Sequence, residues 1–137
     1  MIGRFLGGRN LIVGVLIAII LMQFQLIPPV AAAFDFSIEA SPSSNTVNAG
    51  PGQRASYTVS ITQTSGGEEP VTLSISGLPV SELYVFKPSS VAPTMSGPVS
   101  STLTIDTGEF TPGSHVLTIT GTGGGVTHST TVTLTVR

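Results

Sequence analysis

The sequence predicts an all-β sandwich of about seven strands, preceded by an N-terminal signal or anchor helix. Three observations carry that expectation. Apolar and hydroxyl side chains alternate along most of residues 34–137, as strands with one dry and one wet face require. Clusters of Gly, Pro, Asn and Ser break the alternation at intervals of roughly ten residues, the rhythm of short strands joined by tight turns. Residues 1–33 differ in kind: Arg4 and Arg9 precede an apolar run over residues 11–22 that continues, past Gln23 and Gln25, to Ile27.

That leading segment has the parts of an export signal. A basic start and an apolar stretch are followed by Ala31-Ala32-Ala33, a small-x-small end that places the cut after Ala33. Domain boundaries follow: 1–33 is the signal peptide or signal-anchor helix, and 34–137 is the sandwich. If the signal is not cleaved, residues 11–27 are at the short limit for spanning a bilayer, which takes roughly 17–25 residues. The arginines then stay inside and the domain faces outward. The expected location is secreted or cell-surface, with anchoring in the cytoplasmic membrane as the alternative. The chain has no cysteine, so lipid modification at a cysteine is excluded and the domain depends on its core. Beyond Ala33 three basic residues stand against seven acidic ones, a net of −4. Such a surface offers nothing to a phosphate backbone, and no nucleic-acid partner is expected.

Taken in order, residues 34–40 put Phe34, Phe36 and Ile38 on one face. Pro42 breaks the strand and places the kink at a sheet edge, because proline has no N–H for a central ladder. Thr46 and Val47 can resume a short strand. Residues 54–62 point Ala55, Tyr57, Val59 and Ile61 inward, and residues 71–76 do the same with Val71, Leu73 and Ile75. Residues 83–87 carry four successive apolar side chains, so their inward face is left open. A Ser/Pro/Gly-rich stretch runs to Pro98, and residues 99–106 follow with Leu103 and Ile105 inward. The strongest hairpin comes last: Leu117 and Ile119 on one arm, Val132, Leu134 and Val136 on the other. Its predicted loop is Thr122-Gly123-Gly124-Gly125, which pairs 119 with 128 and 115 with 132. The two outermost strands, at 34–40 and 126–136, are the nominal edges.

The stretches VTLSISGLP (71–79), FKPSS (86–90) and TPGSHVLTITGTGGGVTH (111–128) resemble the immunoglobulin-like, fibronectin-III-like modules of prokaryotic surface and secreted proteins. The resemblance covers the whole of residues 34–136. It implies a seven-stranded immunoglobulin-like β-sandwich acting as a spacer, stalk or adhesive unit, with little specificity for function. The chain departs from the pattern at His115, where a tyrosine is often found. It also lacks an inter-sheet disulfide, with Val59, Ile61, Leu117 and Ile119 in that region.

No catalytic residue is expected: there is no cysteine nucleophile, no GxSxG elbow, and Ser129 beside His128 lies on the opposite face. His115 and His128, four positions apart in the predicted register, lie about 13 Å from each other, too far to share an ion. They read as half-buried rim residues. Asp106 and Glu109, with Glu68 and Glu69 from another loop, are the one compact carboxylate set in the pattern calcium would want; solvated turn acids are the plainer reading. No metal and no cofactor is expected. Among the aromatics, only Tyr84 and Phe110 lie near loops where a sugar ring could stack, and they are the candidate ligand contacts. The expected function is thus an exported, non-catalytic module with a structural or adhesive role toward envelope or surface proteins. The alternatives are an accessory carbohydrate-binding module that takes glycans, and a lone copy or fragment of a larger tandem-repeat surface protein.

Overall fold

The computed structural model describes residues 30–79 and 83–137. The predicted N-terminal helix falls outside them. Among the described residues no helix is long and apolar enough to cross a membrane. The described β domain is one unit, Ala32–Arg137. It is all-β, as the alternation requires.

Its strands are β1 (Asp35–Ser41), β2 (Ser44–Val47), β3 (Arg54–Ser65), β4 (Val71–Ser76), β5 (Tyr84–Lys87), β6 (Ser90–Val91), β7 (Val99–Asp106), β8 (Gly113–Gly123) and β9 (Val126–Val136). One sheet has four strands in the order β1-β3-β7-β5, the other five in the order β2-β9-β8-β4-β6. The expected seven-stranded, immunoglobulin-like arrangement is therefore corrected to nine strands in sheets of four and five. The additional pieces are short. After β1 the chain leaves the four-stranded sheet at Pro42, and β2 joins the other sheet by pairing in parallel with the end of β9. After β5 it makes the same change of sheet at Pro88, and β6 pairs with β4. Both Ser41-Pro42 and Lys87-Pro88 are cis.

β9 is consequently not an edge. Of the two strands expected to be edges, only β1 is one, because β2 covers β9. The hairpin register also differs from expectation. Ile119 faces Thr130 and His115 faces Leu134, two positions from the predicted pairing. Only Gly124 and Gly125 form the loop, both at positive φ (57° and 78°), as a two-residue hairpin of this twist needs. A shift of two keeps every side chain on its face, so the core assignment is unaffected.

That core lies between the sheets. Phe36, Tyr57, Val59, Ile61, Leu103 and Ile105 come from the four-stranded sheet, and Val71, Leu117, Ile119, Val132, Leu134 and Val136 from the five-stranded one. The undecided strand β5 resolves through its pairing: Tyr84 and Phe86 stand opposite Ile105 and Leu103 and share their inward side, while Val85 is exposed. Polar side chains that enter the interior are mostly tied to backbone. Ser101 Oγ donates to Pro88 O, and Gln63 Nε2 donates to the carbonyls of Ser65, Gly66 and Gly67, holding the turn after β3.

Leu117 is fully buried. Replacing it with alanine leaves a cavity and is expected to cost about 2–5 kcal/mol, a large share of a domain's total of about 5–15. A urea titration with an unchanged slope and a lowered midpoint is the expected result.

Candidate functional site

The sandwich has two ends. The chain enters β1 at the N-terminal pole, where the β8–β9 turn also lies. It leaves β9 at the C-terminal pole, beside the loops around Gly50 and Gly108.

Both predicted contact residues belong to the C-terminal pole. Tyr84 opens β5, is half-buried, and sits edge-on to Phe86 with ring centroids 5.8 Å apart. It lines a shallow surface depression of about 300 Å³ with Arg54, Leu83, Val85, Thr104 and Asp106. A second hollow of about 280 Å³, bounded by Pro51, Gly52, Gly108 and Glu109, shares Leu83 and Asp106 with it. Arg54 and Asp106 arrive together because they are register partners at the ends of β3 and β7. Asp106 also fixes its own turn, its Oδ1 accepting the Gly108 N–H at 3.0 Å. Phe110 is only 4% exposed. Its ring meets His115 edge-on at 5.1 Å, and its N–H donates to Thr107 O. It therefore closes the pole from inside and presents no ring face to a ligand. Arg54 and Asp106 are not legible from the sequence as a facing pair, because only the register of β3 against β7 aligns them.

The histidines are separate, and each fastens backbone or strand. His115 stands opposite Leu134, and His128 opposite Gly121. That places them six positions apart along β8, about 20 Å at the usual rise. His115 Nε2 lies 2.8 Å from Thr111 O. His128 Nε2 lies 2.7 Å from Asp35 Oδ1, which joins β9 to β1 across the gap between the sheets. That contact, with the Phe36 N–H, holds the Asp35 carboxyl below the usual carboxylate range. Glu68 and Glu69 follow β3 at the N-terminal pole, whereas Asp106 and Glu109 are at the other. The whole twelve-residue strand β3 separates them, so the two acidic loops do not converge. Among the described residues, no three His, Asp or Glu side chains are grouped to hold a metal ion.

A third feature is the outer face of the five-stranded sheet. Its rows read Thr72–Thr122–Thr127, Ser74–Thr120–Ser129 and Ser76–Thr118–Thr131 across β4, β8 and β9. Thr120 and Ser129 hydroxyls are 3.0 Å apart, and those of Thr122 and Thr127 3.3 Å. Further along, Val116 is 63% exposed beside Thr133. No charged side chain lies on this face among the described residues; Glu39, Arg54, Lys87 and Asp106 all belong to the other sheet.

No protein-family model matches the chain, and no curated protein matches it in sequence. Its fold is similar to part of a family 123 glycoside hydrolase from Clostridium perfringens, whose structure was solved to explain glycolipid glycan hydrolysis. The TM-score is 0.53 at 14% identity, over 76% of this chain. The match spans 27% of the length of that hydrolase. At this identity the likeness is one of fold.

Two titrations follow from the geometry. The Tyr57 hydroxyl, buried between the sheets, donates to Thr133 O at 3.2 Å, and burial pushes its pKa up to about 12. A raised value favours the protonated, folded form, so this contribution is complete below about pH 10 and lost as pH rises toward about 12. Tyr57→Phe is expected to lose about 1 kcal/mol at neutral pH and to flatten the alkaline limb of a stability profile. For Asp35 the sign is opposite. Its contribution is present above the ordinary carboxylate range and is lost as pH falls through the lowered value. Asp35→Asn should flatten the acid limb, read by thermal melts across pH.

Proposed function

We propose that the chain is an exported, non-catalytic module with a structural or adhesive role in the cell envelope, held there by contacts with surface proteins. The observation that carries this reading is how its polar side chains are employed. His128 and Asp35 join β9 to β1, Tyr57 joins β3 to β9, Gln63 holds the turn after β3, and Asp106 holds its own turn. Groups that an enzyme would turn toward substrate are used here to fasten strands. The leader-like composition of residues 1–33 and the resemblance of residues 34–136 to modules of secreted proteins support the same reading. Secretion or surface display is the location it requires, with residues 11–27 as the membrane attachment if the signal is retained.

A second reading is an accessory glycan-binding module. It is favoured by the structural likeness to a segment of a glycoside hydrolase and by Tyr84 in its shallow depression beside Arg54 and Asp106. An aromatic face with flanking polar groups is what sugar recognition uses.

Cross-linking on intact producing cells tests the first reading. The expected product is a covalent adduct between the domain and one or a few envelope proteins. Recovery of the domain only as a free monomer in the medium would remove it. A glycan array separates the two readings: selective binding that Tyr84→Ala abolishes would transfer the assignment to the second.

A further inference from the structure

Resting on the export reading, we infer that the fold itself guards the processing site: the Ala33–Phe34 bond can be hydrolysed only before β1 docks. Residues 31–33 are exposed, as a substrate segment must be, but the other side of the bond is the first locked residue of the domain. Phe34 is only 8% exposed. Its ring meets Phe36 at a centroid distance of 5.7 Å, and its backbone and ring lie against two glycines. A Cβ on Gly124 would come to 2.5 Å from Phe34 Cδ1, and one on Gly66 would overlap the Phe34 backbone. The glycines thus form a socket that no larger residue would leave open. Around it, Ser65 Oγ donates to the Ala33 carbonyl at 2.7 Å, so the carbonyl to be attacked is itself engaged. One residue further on, Asp35 is paired with Ser65 in the ladder and bound to His128.

A peptidase that cuts after a small-x-small end binds its substrate as extended chain on both sides of the bond. Water adds across the Ala33–Phe34 amide, leaving a carboxylate on Ala33 and an ammonium on Phe34. To reach that geometry in the folded precursor, Phe34 and Asp35 must first be drawn from the socket. Cleavage then depends on the small fraction of molecules open at this end. Timing is set by the sequence, because the socket is finished only when Gly124 has been exported, some ninety residues after the bond itself. Cutting before that point yields a released domain. A precursor that folds first is cut more slowly and stays attached for longer. The same chain can therefore supply both forms in proportions set by folding rate.

The test uses the full-length precursor in detergent with a purified leader peptidase of the small-x-small class. Leu134→Asp places a charge in the core and keeps the chain unfolded without altering the leader or the bond. The unfolded variant should be cut after Ala33, and the folded wild type about tenfold more slowly or slower, matching the burial of one phenyl ring. Phe34→Ser, shown by circular dichroism to remain folded, should recover most of the lost rate. Equal rates for wild type and Leu134→Asp would overturn the inference and leave the export reading standing. Slow cutting of folded Phe34→Ser would remove the socket as its cause. No cutting of any of the three would overturn the export reading, and the inference with it.

Discussion

Everything in the domain depends on the dry layer between its two sheets. With no cysteine in the chain, nothing covalent ties the sheets together, and the apolar side chains of β3, β7, β8 and β9 must do so by burial alone. The sequence meets that demand economically. These strands give most of their inward positions to aliphatic residues or tyrosine and their outward ones mostly to serine or threonine, which tolerate water and fit a pleated surface. A few directional bonds then fix how the layers sit. Tyr57 reaches across to Thr133, Asn45 Nδ2 reaches back to Ser56 O, and His128 meets Asp35. Each crosses from one sheet to the other, so each resists sliding in a way that burial, being non-directional, does not.

The strands with that alternation were readable from the residues, and those without it were not. Residues 54–62, 71–76, 99–106 and both arms of the last hairpin repeat the pattern often enough to be assigned, and all are strands in the structure. The run at 83–87 is too uniformly apolar to show a face, and pairing with β7 decides it. β6 has two residues, and only Val91 points inward, so no periodicity exists to detect. Such a segment becomes a strand because β4 is already there to receive it. Parity is a coarse signal for register as well. A glycine-rich loop of two or four residues leaves every side chain on the same face, so the hairpin could be displaced by two without any conflict in the pattern.

The site was legible to a lesser degree for the same reason. Residue type and nearness to loops single out Tyr84 and Phe110, and both lie at the C-terminal pole. Their fates diverge through neighbours far away in the chain. Phe110 is drawn inward over His115, while Tyr84 is left lining a hollow that Arg54 and Asp106 complete from other strands. A single sequence shows which residues could serve and does not show which will be covered.

The two changes of sheet bear on how the domain can meet a partner. An exposed strand edge is a template for unwanted pairing, and long flat edges are the most dangerous. Here the long strands β8 and β9 are interior, and the five-stranded sheet ends in β2 and β6, of four and two residues. The four-stranded sheet ends in β5, also four residues, and in β1. β1 alone offers a longer edge, and it carries Asp35 and Glu39, with Pro42 at its end. Strand addition is therefore poorly served at three of the four edges and opposed by charge at the other. Among the described residues, surface that needs no ladder includes the hollow at the C-terminal pole and the uncharged hydroxyl face. A partner would have to recognise these by shape and side chain. The short strands made at Pro42 and Pro88 thus do more than finish the sheets, because they leave the five-stranded sheet, among the described residues, with edges of only four and two residues.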